Sequence, residues 1–172
     1  MIIRSAARSD APAILEIYAP IVDETAISFE LAVPPVEEIE ERIENTLAKG
    51  PWLIAEEDGD CLGYAYAGVW RQRAAYRHTA ETAVYVSAKH RRGGVARKLY
   101  HALFEDLRAR GKRTLIAGIT LPNDASIAFH ESLGFRPVGV FSKVGLKFDR
   151  WHDVGFWEHD LDGKAGPPRQ ER

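Results

Sequence analysis

The feature that most constrains the fold is a passage from a strand through a basic, glycine-bearing loop into a helix. Residues 81–86 alternate as a strand does, and the loop HRRGG follows at residues 90–94. Apolar side chains then recur at helical spacing, at Val95, Leu99, Leu103 and Leu107, until Gly111 ends the helix. The chain therefore places the end of a strand, two glycines and the start of a helix within a few residues.

The segments on either side complete a mixed α+β order. The pattern predicts strands at residues 1–5, 52–56, 62–70, 114–120, 136–142 and 153–161, and further helices after Ser9-Asp10, after Pro34-Pro35 and from Asn123 to Leu133. The order β-α-α-β-β-β-α-β-α-β-β is typical of a sheet covered by helices. Because no repeat or long linker divides it, we expect one domain over residues 1–161, followed by a disordered tail at 162–172.

Composition excludes several classes of protein. The 172 residues are 45% hydrophobic and 28% charged, and 23 Lys and Arg oppose 25 Asp and Glu for a net charge of −2. A dedicated nucleic-acid binder is more basic, and a membrane span needs a longer apolar run. The first residues lack the apolar core of a signal peptide, so we expect a cytoplasmic location. The single cysteine, Cys61, excludes an intrachain disulfide and is expected to be a buried, inert thiol.

The basic loop has the parts of an anion site. Unpaired N–H groups and the dipole at a helix start attract negative charge, and Gly93 and Gly94 let the backbone approach a ligand closely. The sequence lacks both the Gly-Lys-Ser/Thr ending of the Walker loop and the G-x-G-x-x-G dinucleotide pattern. A tight turn beside a solvated charged face remains an alternative, whereas a nucleic-acid patch would need interleaved aromatic residues.

The same residues carry a resemblance. Arg91 to Ala96 fit the Arg/Gln-x-x-Gly-x-Gly/Ala signature of the GNAT superfamily of N-acetyltransferases, and Asn123 with ESLGF resembles its second signature. The segments PWLIAEEDG, YAYAGVWRQRAAYRHTAETAVYVS, LPND and WHDVGFWEHDL are similar to the phosphinothricin and methionine sulfoximine N-acetyltransferase group. The resemblance implies a mainly antiparallel sheet with about four helices, acetyl-CoA as co-substrate and a homodimer. The histidines other than His130 show no metal-ligand spacing such as H-E-x-x-H, so we expect no metal.

The resemblance also assigns residues to acetyl-CoA. It implies that the pyrophosphate lies on the basic loop, and that the pantetheine arm and thioester carbonyl meet the strand backbone before it. These residues are Arg92, Gly93, Gly94, Val95, Ala96 and Arg97 for the pyrophosphate, Val84, Tyr85 and Val86 for the arm, and Asn123 for a side-chain contact. Burial of the two valines and simple helix capping by Asn123 are the structural alternatives.

Two side chains are candidates for proton transfer. Glu81 begins the strand that leads to the cofactor loop, where a carboxylate could deprotonate an amine, and the resembling group assigns this role to the Glu of TAE. A salt bridge to Arg77 or another loop cation is the alternative. His130 stands where many superfamily members place an acidic tyrosine; it could protonate the leaving thiolate or simply be a packed helix histidine.

The loop before Glu81 predicts the acceptor site. Arg71 and Arg73 are suited to bind a carboxylate or an oxyanion, although surface charge is the plainer interpretation. With the resemblance, the candidate acceptor residues are Phe29, Arg71, Gln72, Arg73, Tyr76, Glu81, Thr82 and Ala83.

These residues together predict a function. We expect an acetyl-CoA-dependent enzyme that acetylates the α-amino group of phosphinothricin, methionine sulfoximine or methionine sulfone. Attack would be direct, in a ternary complex, because no nucleophilic Cys or Ser constellation is present. Two alternatives remain open: a different amine, such as a polyamine or a protein N-terminus, and a sensor that binds acyl-CoA without turnover.

Overall fold

The structure, a computed structural model, describes residues 1–162, and the predicted tail therefore lies almost entirely outside the described residues. The helices are α1 (Ala11–Glu24), α2 (Val36–Leu47), α3 (Val95–Ala109) and α4 (Asp124–Glu131). The strands are β1 (Ile2–Ser5), β2 (Trp52–Glu57), β3 (Asp60–Val69), β4 (Thr79–Val86), β5 (Thr114–Leu121), β6 (Arg136–Lys147) and β7 (Arg150–Asp160). The predicted order of elements is confirmed.

The strands form one sheet in the order β1-β2-β3-β4-β5-β7-β6. Neighbours pair antiparallel except β4 and β5, which are parallel and are joined through α3. A parallel pair needs a crossover of this kind, usually a helix. This places the basic loop at the carboxyl end of β4, in the middle of the sheet.

Helices cover both faces of the sheet, and each face has its own apolar core. On one face, α3 buries Leu99, Leu103 and Leu107 against β2, β3 and β4. On the other, α1 and α2 bury Ile14 and Ile43 against β2 and β3. The sheet is thus held from both sides, and its strands can carry site residues on either face.

The last two strands are longer than the sequence pattern predicts. Strands were expected at 136–142 and 153–161, but β6 and β7 run to a two-residue turn at Phe148 and Asp149. Both turn residues have positive φ, 51° and 56°, as a type I′ hairpin turn requires. Glycine or asparagine normally marks such a turn, so this one has no signature in the sequence. No helix among the described residues is long and apolar enough to cross a membrane.

The contact between β3 and β4 is close at Gly63. A Cβ there would lie 2.7 Å from the Tyr85 carbonyl oxygen, and that backbone cannot move without breaking the strand pair. We therefore expect Gly63→Ala to lower the free energy of unfolding by about 1–3 kcal/mol, as overpacking does. Urea unfolding measures this. The control is Gly68→Ala in the same strand, where a Cβ meets nothing within 4 Å; equal midpoints for the two variants would contradict the prediction.

Candidate active site

The site is a gap between β4 and β5. The two strands pair only from Thr79 to Glu81 and from Thr114 to Ile116, and then separate. The gap holds roughly 460 Å³ of empty space, part of it open to solvent. Its walls come from both strands, α4 and the loop before α2: Ile27, Thr82–Tyr85, Ala117–Thr120, Asn123, Ser126 and His130. Along the gap, β4 presents a strand edge that β5 does not pair.

Glu81 lies where the gap begins. It is the last residue of β4 that pairs with β5, and its carboxylate faces Gly118 of β5: an added Cβ at Gly118 would lie 3.6 Å from Glu81 Oε1. The side chain is exposed at the start of the gap, yet the protein around it partly desolvates the carboxyl group, and this raises the pKa of Glu81. Within residues 1–162 Glu81 makes no ion pair, so the salt-bridge alternative is wrong.

The basic loop follows the carboxyl end of β4, at the opposite end of the strand from Glu81. Arg92 and Gly94 both have left-handed backbones, with φ of 64° and 77°, and Gly94 precedes α3 without a side chain to cap it. The N–H groups of the first turn of a helix lack partners within the helix, so they remain for a ligand. The buried Val95 anchors the turn, and Arg97 donates a hydrogen bond to Ser132 Oγ at 2.7 Å, which ties α3 to α4.

The structure supports both interpretations of Asn123. Its Oδ1 accepts a hydrogen bond from the Ser126 N–H at 3.1 Å, which caps α4. The residue also lines the gap between β4 and β5. Capping therefore fixes the side chain at the wall of the site.

His130 is buried and both of its ring nitrogens have partners. Nδ1 is 2.8 Å from the Ser126 carbonyl oxygen, which can only accept, and Nε2 is 3.0 Å from the Tyr100 hydroxyl. Burial lowers the pKa of His130, although the Ser126 bond opposes this. The one proton of a neutral imidazole is then on Nδ1 and is donated to the Ser126 carbonyl oxygen, so His130 has no proton to give to a group in the gap. The structure thus supports the packed helix histidine more than the acid.

The predicted acceptor residues fall into three groups rather than one. Arg71, Gln72, Arg73 and Tyr76 line a depression beyond the end of β3, together with Arg77 and Lys112. Phe29 packs against the β6–β7 hairpin, near His152. Thr82 is buried and its hydroxyl donates to the Ile116 carbonyl oxygen at 3.3 Å, so it faces away from the acceptor loop. Glu81 and Ala83 flank Thr82 on β4, and these three residues form the third group.

Sequence reasoning missed six wall residues: Ile27, Ala117, Gly118, Ile119, Thr120 and Ser126. Ile27 lines the gap from the loop between α1 and α2, and Gly118 lies directly beside Glu81. Ile27 has no pattern that distinguishes it from a core residue. Gly118 could have been noticed as a glycine inside a strand, which often marks the close approach of another group.

Comparison with known proteins decides the family. A protein-family model described as "Acetyltransferase (GNAT) domain" matches residues 3–155 of the sequence. This chain belongs to the GNAT acetyltransferases. Phosphinothricin N-acetyltransferase of Streptomyces viridochromogenes is 38% identical over 170 residues, covering 99% of this chain and 92% of the relative. L-methionine sulfoximine/L-methionine sulfone acetyltransferase of Salmonella typhimurium is 39% identical, covering 97% and 98%.

Solved GNAT structures agree with the fold. A GNAT superfamily phosphinothricin acetyltransferase from Sinorhizobium meliloti, in complex with AcCoA, superposes with a TM-score of 0.92 at 32% identity, covering 98% of this chain and 93% of that one. A ribosomal-protein-alanine N-acetyltransferase from Brucella melitensis gives 0.90 at 38% identity, covering 93% and 99%. The expected GNAT fold and acetyltransferase class are therefore confirmed.

Proposed function

We propose that this GNAT enzyme transfers the acetyl group of acetyl-CoA to the α-amino group of a small amino acid analogue: phosphinothricin, methionine sulfoximine or methionine sulfone. The observation that carries the proposal is Glu81, an unpaired carboxylate of raised pKa at the gap between β4 and β5. The names of the relatives supply the class of acceptor.

The residues of the gap fit acetyl-CoA. Its pyrophosphate would lie on the left-handed turn at Arg92–Gly94 and the start of α3, where N–H groups and the helix dipole favour an anion. The unpaired edge of β4 at Val84–Val86 offers N–H and carbonyl groups to an amide-bearing arm, with Asn123 on the opposite wall. Bound acetyl-CoA supplies an acetyl thioester, whose carbonyl carbon an amine can attack.

Glu81 performs the first proton transfer in this proposal. Its carboxylate takes a proton from the acceptor ammonium, directly or through one water, and frees the nitrogen lone pair for attack. The new bond joins the amine nitrogen to the acetyl carbon, and the carbon–sulfur bond breaks, so that the sulfur leaves with the bonding electrons as a thiolate. The nitrogen then loses its second proton, and the thiolate takes up a proton directly from it or through water to become the thiol. Backbone N–H groups on the edge of β4 can stabilise the negative charge that develops on the carbonyl oxygen. In this proposal His130 lines the gap and transfers no proton.

Arg71 and Arg73 would hold the acceptor by its acidic groups. Both are exposed, and neither makes an ion pair within the described residues; Arg71 lies 5.2 Å above the Trp70 ring. We expect Arg71→Gln and Arg73→Gln each to raise the KM of the acceptor by about tenfold or more, the scale of a lost charged hydrogen bond. Steady-state kinetics with varied acceptor test this, with Arg110→Gln at the far end of α3 as control. An unchanged acceptor KM in both variants would contradict the assignment.

We also propose a homodimer that works in the cytoplasm, where acetyl-CoA is available. The β6–β7 hairpin supports the dimer because it exposes a run of large apolar side chains: Val138, Val140, Phe141, Val144, Leu146, Phe148 and Trp151. A monomer rarely leaves so large an apolar patch in water. One chain has a mass of 19.2 kDa, and light scattering should give twice that value. Trp151→Glu should shift the protein towards monomer.

The test of the function is thiol release from acetyl-CoA with a panel of amines. The panel holds phosphinothricin, methionine sulfoximine, methionine sulfone, methionine, glutamate, spermidine and a peptide with an N-terminal alanine. Turnover with the first three supports the proposal. Turnover with the peptide or spermidine alone would indicate another amine, and acetyl-CoA binding without any turnover would indicate a sensor.

A further inference from the structure

Lys147 is a buried lysine outside the gap. It ends β6, and only 3% of its surface is exposed. Its ammonium donates to two main-chain carbonyl oxygens, 2.6 Å to Val22 and 2.8 Å to Ser28. Burial lowers the pKa of Lys147, while the charges of Asp23 and Glu30 oppose the shift. A lysine is seldom buried without a carboxylate partner, so this arrangement needs a reason.

The two carbonyl groups belong to α1 and to the loop that follows it. Val22 lies in the last turn of α1, where carbonyl groups have no partner within the helix and a cation is stabilising. Ser28 lies between Ile27, which lines the gap, and Phe29, the predicted wall of the acceptor site. A single ammonium therefore joins β6 to the loop that borders the acceptor.

The same loop meets β6 at a second point. A Cβ at Gly145 would lie 2.2 Å from Phe29 Cε2, so the Phe29 ring packs directly on the strand backbone. On the opposite side, Ser28 Oγ is 2.7 Å from the Tyr18 hydroxyl of α1. The loop is thus held between α1 and the inner face of β6.

We propose that Lys147 is a positioning residue for the acceptor: it holds Ile27 and Phe29 at the wall of the site through the Ser28 carbonyl. This inference rests on the proposed function in one respect, that Phe29 borders the acceptor. Removal of the ammonium leaves two buried carbonyl groups without a donor, and the loop must move to hydrate them. The basic loop and the start of α3 are not touched by this movement.

The first experiment is Lys147→Met, which keeps the length of the side chain and removes the charge. We expect the acceptor KM to rise about tenfold or more, because the loop that carries Ile27 and Phe29 moves, while kcat and the KM for acetyl-CoA stay within about twofold. Lys143→Met is the matched control, because Lys143 lies on the same strand but is exposed. A folded Lys147→Met protein with unchanged acceptor KM, or with both KM values raised alike, overturns the proposal.

A second variant tests the position of Phe29 without removing the Lys147 charge, and a second measurement reports on the loop without any acceptor. Gly145→Ala displaces the Phe29 ring without altering Lys147, and the same rise in acceptor KM is expected. Amide hydrogen exchange should become faster at residues 25–33 and stay unchanged at 88–98 in both variants. Unchanged exchange at 25–33 refutes the inference even if no acceptor is found, whereas a wild type inactive on the whole panel refutes only the proposed function.

Discussion

Glu81→Gln is expected to lower kcat by about 10²- to 10⁴-fold, the range for loss of a general base. The amide keeps the size of the side chain beside Gly118 but cannot take a proton at neutral pH. Acetyl-CoA affinity should stay near that of the wild type, because the basic loop lies at the other end of the gap. Thiol release under saturating substrates measures kcat, and calorimetric titration measures the affinity.

The pH profile separates a base from a structural carboxylate. The active form of Glu81 is the carboxylate, which is present above its pKa and lost as the pH falls through it. Since partial desolvation raises that pKa, the acid limb of the wild-type profile should lie above the usual carboxylate range. Glu81→Gln should lack this limb, and Glu105→Gln, an exposed change on α3, should keep it. An identical limb in Glu81→Gln would exclude Glu81 as the base.

Gly94→Ala is expected to weaken acetyl-CoA binding by about tenfold or more. The residue has φ of 77° directly before α3, and an L side chain in that region costs about 1–2 kcal/mol. The turn can relieve the strain only by moving the N–H groups that are proposed to hold the pyrophosphate. Calorimetric titration with acetyl-CoA gives the dissociation constant directly, without any acceptor.

Gly59→Ala is the matched control for this change. Gly59 has φ of 89° in the turn between β2 and β3, so an L side chain there would be strained in the same way as at Gly94, but at a position away from the gap. Both variants should lose stability, yet only Gly94→Ala should lose acetyl-CoA affinity. Equal affinities in the two variants would show that the left-handed turn at Gly94 has no part in binding.

The sequence predicted the parts of the site that depend on chain order. A strand, a basic glycine loop and a helix are contiguous, so the sequence predicted that Glu81 lies on the strand before the loop and that Gly94 lies at the start of the helix. The element order was right for the same reason, because strong apolar periodicity decides the type of each segment.

The parts that the sequence left open or did not show depend on contacts between distant segments. The role of His130 turns on Tyr100, which lies on another helix, and periodicity cannot show that both ring nitrogens are occupied. The separation of the acceptor residues into three groups follows from how the loop before α2 packs on the β6–β7 hairpin. The Phe148-Asp149 turn lacks the glycine or asparagine that normally marks a type I′ turn, so the sequence did not show how far β6 and β7 extend.

The gap between β4 and β5 leaves a strand edge inside the sheet rather than at its border. An unpaired edge at a border is a template on which other chains aggregate, and proteins usually cover or shorten it. Here β5 lies on the other side of the gap and is itself paired with β7, and residues of α4 line the gap. The fold therefore keeps the hydrogen-bonding groups of this edge inside the sheet, away from the borders at which other chains can add strands.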